Sequence, residues 1–76
     1  MAEQAKPWEP LEGESSKAYE AFSTYRDMGT QRSLTKVAEK LGKSETLMAR
    51  WSGNHDWVDR AAAWDAFSAL GEITMM

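Results

Sequence analysis

His55 is the only histidine in the 76-residue chain, and there is no cysteine. Zinc and other soft-metal sites draw on those two side chains, so neither a metal site nor a disulfide is expected. Asp59 and Asp65 are candidates for a carboxylate pair, but they lie six positions apart, and on a helix side chains meet at three or four. No glycine-rich phosphate loop, Ser-His-Asp set or paired-acid site is present, so no catalytic residue and no cofactor are expected. His55, next to Asp56, reads as a polar turn residue that packs near Trp57.

What the chain does offer is a set of side chains suited to recognition. Ser44, Glu45, Thr46, Ala49 and Arg50 fall on one side of a short predicted helix. Such a set matches the edge chemistry of a duplex major groove. Arg50 can present a donor fork to guanine O6 and N7, and Thr46 and Ala49 can meet a thymine methyl. Ser44 and the N–H groups beside it can hold a phosphate at the positive end of the helix. Glu45 either accepts from cytosine N4 or repels the wrong sequence. Arg32, Lys36, Lys40 and Lys43 stand where they can meet flanking phosphates.

The elements that must position these residues follow from periodicity and punctuation. A polar arm is expected over residues 1–14, where Pro7, Pro10 and Gly13 oppose helix formation. Trp8 and Leu11 are its apolar exceptions and are expected to dock on the helical body. A first helix starts at Ser15 or Ser16 and runs to Met28, with Ala18, Phe22, Tyr25 and Met28 at helical spacing and Gly29 as its stop. After the polar link Thr30-Gln31-Arg32, Ser33 caps a second helix whose stripe is Leu34, Val37, Ala38 and Leu41. Gly42 ends it. Ser44 caps a third helix through Ser52, with Leu47, Met48 and Trp51 inward and Gly53-Asn54 as the stop signal. A fourth helix runs from Asp56 to Leu70 and closes at Gly71, leaving a tail over residues 72–76.

The second and third helices have the pattern of a helix-turn-helix. Two short helices that cross steeply need a small residue at their contact, which Ala38 supplies, and a sharp turn, which Gly42 permits. Leu47, Met48 and Trp51 then close onto Val37 and Leu41, leaving the other face of the third helix free. The expected fold is therefore a small all-α domain of four helices containing a helix-turn-helix. Trp51, Trp57 and Trp64, at helical spacing, read as core rather than as platforms for stacking bases.

Composition sets limits on this reading. Lys and Arg total 9 against 12 Asp and Glu, a net charge of −3, which at face value disfavours a nucleic-acid partner. The distribution is uneven. Residues 21–50 hold Arg26, Arg32, Lys36, Lys40, Lys43 and Arg50 against only Asp27, Glu39 and Glu45, while both ends are acidic. Exposed charges are screened over about 8 Å at physiological salt, so a basic face can act despite acidic ends. No stretch approaches the roughly 20 apolar residues of a membrane span. Met1 to Pro10 has no apolar run, so no signal peptide is expected; the chain reads as cytoplasmic.

The string Glu14-Ser15, Ala18-Tyr19, Ala21-Phe22, Tyr25-Arg26-Asp27, Arg32-Ser33, Val37-Ala38, Leu41-Gly42-Lys43-Ser44, Arg50-Trp51-Ser52, His55, Trp57-Val58 and Arg60-Ala61 resembles the N-terminal DNA-binding segment of bacteriophage terminase small subunits. The resemblance covers residues 10–65. It implies recognition of viral DNA for genome packaging in the bacterial host cytoplasm. The implied partner is a terminase large subunit that carries the ATPase and nuclease. It also implies a homo-oligomer formed through a segment not in this chain. Two other readings suit the same residues: a phage or bacterial transcription regulator of similar fold, and a protein–protein adaptor that binds through its acidic ends. Steep salt dependence is expected of a DNA binder and not of an adaptor with an apolar groove.

Overall fold

Three serine caps and the left-handed residues Gly29, Gly42 and Asp56 mark most of the helix boundaries. The computed structural model describes the backbone of residues 6–75 and the side chains of residues 6–69. Helix α1 spans Ser16–Asp27, α2 Leu34–Leu41, α3 Glu45–Asn54 and α4 Trp57–Met75, with a single 3-10 turn at Gly29–Gln31. No strand occurs among the described residues, and the domain is all-α. Ser15, Ser33 and Ser44 each stand in extended backbone, and each hydroxyl accepts from the N–H three residues on, at 3.1, 3.3 and 3.1 Å. Each cap satisfies one of the donors that a helix start leaves without an internal acceptor.

The α2–α3 turn depends on Gly42, which takes φ +68°. Its N–H donates to the Glu39 carbonyl at 3.3 Å, and Lys43 N–H reaches back to the Ala38 carbonyl at 2.9 Å. This pair of bonds is the Schellman arrangement, which needs a residue tolerant of positive φ. The backbone therefore has the short helix, tight turn and second helix expected from the sequence.

Elsewhere the boundaries depart from expectation. Gly53-Asn54 does not stop α3, which includes both residues; the reversal comes at Asp56, the non-glycine residue at positive φ (53°). Aspartate tolerates that region better than most side chains. Gly71 does not close α4, which continues to Met75, so residues 72–75 are helical rather than a tail. A lone glycine costs a helix about 1 kcal/mol relative to alanine but leaves its hydrogen-bond ladder intact. The Thr30-Gln31-Arg32 link is largely taken up by the 3-10 turn. The expected apolar contribution of Leu70, and Met76, lie outside the described residues, as do residues 1–5.

Helix α2 packs on α1 and α3, and α4 packs on α1 and α3. The core is Ala21, Phe22, Val37, Ala38, Met48, Trp57 and Ala61, bordered by Tyr25, Leu34, Leu41, Leu47 and Trp51. Trp57 is the largest fully buried side chain. Its indole N–H finds no acceptor among the described residues. An indole N–H buried without an acceptor costs about 1–3 kcal/mol, so what Trp57 contributes among the described residues is its buried apolar area.

Arm residues 6–14 are tied to the body in two places. Trp8 lies 4.6 Å from the Phe67 ring and 5.7 Å, edge-on, from Trp64, and its carbonyl accepts from the Tyr19 hydroxyl at 3.0 Å. Leu11 is half-buried. The second tie is Arg60, only 4% exposed. Its guanidinium forms a buried pair with Glu14 at 2.9 and 3.1 Å. It also donates to the carbonyls of Pro7 at 2.6 Å, Glu9 at 3.0 Å and His55 at 3.1 Å. It sits 4.0 Å from the Phe22 ring centroid.

Removing one partner of a buried pair strands the other charge, at a typical cost of about 3–5 kcal/mol. Arg60→Ala is therefore expected to lower unfolding free energy by that amount. Asp65→Ala removes a carboxylate that is 53% exposed and should cost no more than about 1 kcal/mol. Urea midpoints of the two variants test the ranking; equal losses would show that Arg60 is not the dominant tie.

Candidate nucleic-acid interface

Helix α3 divides cleanly into two faces. Met48 is buried, and Leu47, Trp51, Ser52 and His55 at the helix end are half-buried; Glu45, Thr46, Ala49, Arg50, Gly53 and Asn54 are exposed. At 3.6 residues per turn, Thr46, Ala49, Arg50 and Gly53 share an arc of about 100°. Glu45 and Asn54 flank it. The inward stripe rests on Val37 and Leu41 of α2, which fixes the helix from behind and leaves the outward arc unobstructed. The structure thus brings Glu45, Thr46, Ala49 and Arg50 together on one exposed surface.

Ser44 is exposed, but its hydroxyl is occupied by the Leu47 N–H. Lys43 is half-buried beside it in the turn, and Lys36 and Lys40 are exposed on α2. The Lys36 ammonium reaches the Gln31 carbonyl and side-chain oxygen, both at 3.5 Å. A shallow hollow of about 370 Å³, lined by Thr24, Asp27, Met28 and Lys40, lies between α1 and α2. No group of three potential metal-ligating side chains occurs among the described residues, and none of their helices is long and apolar enough to cross a membrane.

Arg32, expected at a flanking phosphate, is committed to the fold. Its guanidinium makes two parallel bonds to Asp65, at 2.7 and 2.8 Å. It also donates to the Tyr25 carbonyl at 3.0 Å and the Arg26 carbonyl at 2.6 Å. The Met28 N–H at the helix end also donates to the Tyr25 carbonyl, at 3.2 Å, so Arg32 adds a charged donor to the last carbonyls of α1, where the dipole favours a cation. Ion pairs among the described residues thus engage Arg26 with Asp27, Arg32 with Asp65 and Arg60 with Glu14. Of the chain's arginines, Arg50 alone enters none of them.

Besides the Arg32–Asp65 pairing, two further features escaped the sequence. One is the Arg60–Glu14 clamp, whose partners are 46 positions apart; its only local signal is a charged residue beside Trp57, Ala61 and Trp64. The other is the placement of Gly53 and Asn54 on the exposed face of α3.

Hydrogen bonds from Arg32, and then its charge, hold the Asp65 carboxyl below the ordinary carboxylate range; partial desolvation opposes them. The same pairing raises Arg32. Arg26 is raised chiefly by its bond to Asp27.

Comparison with protein-family models, curated proteins and solved structures finds no match for this chain.

A carboxyl depressed on folding stabilises the folded state above its unfolded value, about pH 3.9. That contribution is lost as pH falls through the lower folded value. Carbon-detected NMR titration should therefore find Asp65 ionising below the ordinary range, and Arg32→Ala should return it there. An Asp65 midpoint unmoved by the substitution would show that the pair does not persist in solution.

Proposed function

We propose that this chain is a double-stranded DNA-binding domain in which α2 and α3 form the helix-turn-helix and α3 enters the major groove. The observation that carries the reading is the allocation of arginines. Arg26, Arg32 and Arg60 are bound to carboxylates of the chain itself, whereas Arg50 stands exposed on the outward arc of α3. Exposed Lys36 and Lys40, with Lys43 in the turn, border that arc. In this reading Arg50 offers its donor fork to guanine, and Thr46 and Ala49 contact base edges. Ser44 acts first as the cap that sets the start of α3, and Glu45 selects against unsuitable bases. Lys36, Lys40 and Lys43 meet phosphates, and Arg32 orients the motif without touching DNA. The domain is a binding module and not an enzyme.

The resemblance to bacteriophage terminase small subunits supports genome packaging as the setting, with a large subunit as partner. A transcription regulator would use the same interface. The acidic arm and α4 keep non-specific affinity low for one domain, so useful binding draws on several domains held together.

Titration of a fluorescent duplex over a range of salt concentrations tests the reading. Lys36→Ala with Lys43→Ala should weaken every duplex alike and flatten the salt slope by about two units. Arg50→Ala should cost about 1–3 kcal/mol on a duplex selected from a random pool and far less on unselected DNA. Absence of association at low salt by the folded domain would favour the protein-adaptor reading instead.

A further inference from the structure

A glycine stands inside α3 where the fold has no use for one. Gly53 is exposed and helical, and a Cβ built on it meets no atom within 4 Å. The left-handed position that ends the helix falls three residues later, on Asp56. Thus the residue best suited to positive φ occupies an ordinary helical position, while an aspartate takes the special one. Gly53 is the next-to-last residue of α3, where glycine costs the helix at most the interior penalty of about 0.5–1 kcal/mol relative to alanine, and no packing contact offsets that loss.

The missing side chain makes sense if something from outside must come close. Gly53 lies on the same arc as Arg50, one helical turn further along. A helix with its side chains is about 10–12 Å across, and the major groove is about 12 Å wide. Such a helix nearly fills the groove, so a position without a side chain is where a groove wall can come nearest to the helix backbone. The exposed cations at Arg50, Lys36 and Lys40 suit the charge of that partner.

We infer that Gly53 is a positioning residue for duplex DNA: it is the point at which the sugar-phosphate wall of the major groove approaches the α3 backbone, and its lack of a side chain sets the depth at which Arg50 meets base edges. This inference rests on the DNA-binding reading. It gives Gly53 an opposite effect on stability and on binding, which a merely structural residue does not have.

Gly53→Ala should raise the melting temperature, because alanine suits the helix better. It should also weaken affinity for a selected duplex by about tenfold, as an added methyl does in a close contact, with the salt slope unchanged because no phosphate contact is removed. Gly53→Leu, also a good helix former, should weaken binding further. The parent protein is titrated in parallel. If the parent binds no duplex, the DNA reading fails and this inference with it. If the parent binds and both variants bind equally well, the DNA reading stands and the role of Gly53 is overturned. A Gly53→Ala protein that melts lower would overturn the premise that the glycine is a cost to the fold.

Discussion

Burying the Arg60 guanidinium is the demand around which this small domain is arranged. A charge removed from water must be paired and fully hydrogen-bonded or it destabilises the fold. Arg60 has five N–H donors, and each finds an acceptor: Nε at Pro7, Nη1 at Glu14 and His55, Nη2 at Glu9 and Glu14. Those acceptors come from the arm, up to Glu14 just before α1, and from the end of α3. One side chain on α4 thereby fixes where two separate parts of the chain must lie. A lysine, with a point charge and three donors, has no fork to match this cage. The Glu14 side chain is itself fully buried, so neither partner can be kept without the other.

Arg32 applies the same chemistry nearer the surface. It joins the end of α1 to Asp65 on α4 and so sets the direction in which the chain enters α2. From there the caps at Ser33 and Ser44 and the left-handed Gly42 set α2 and α3 locally. The outward arc of α3 therefore stands on two tiers of support. The far tier consists of arginines turned inward, and the near tier of helix caps. Any partner that docks on α3 meets a surface whose position is set by charges it never touches.

This division explains which features were legible in the sequence. Serine caps and the Gly42 turn act within a few residues, so their signals are local, and α1, α2 and the start of α3 fall where those signals place them. The exposed set Glu45, Thr46, Ala49 and Arg50 follows from helical period once Leu47, Met48 and Trp51 face inward. Arg60 and Glu14 carry no such mark, because their partnership exists only after α4 has folded back onto the arm. Arg32 reads as a free cation in a polar link for the same reason: Asp65 is 33 positions away. Glycine misled twice. At residues 53 and 71 it reads as a stop, yet glycine permits left-handed backbone without requiring it. The α3–α4 reversal falls instead on Asp56, at φ +53°.

Charge is the remaining tension, since a net of −3 opposes a polyanionic partner. The domain measures 39 × 32 × 16 Å, several screening lengths of about 8 Å across its longer dimensions. Under the proposed reading, a duplex at α3 is governed over such distances mainly by Arg50, Lys36, Lys40 and Lys43, with Glu39 and Glu45 as the local opposition. Glu9, Glu12 and Asp59 belong to the arm and α4 and act chiefly on orientation. Approach by the acidic elements is repelled, while approach by the α2–α3 face is favoured. On the proposed DNA-binding reading, this charge distribution trades non-specific affinity for a preferred direction of encounter. The net charge and the local basic face are thus two parts of one arrangement, in which inward arginines neutralise buried or tethered acids and the single outward arginine is left to meet a partner.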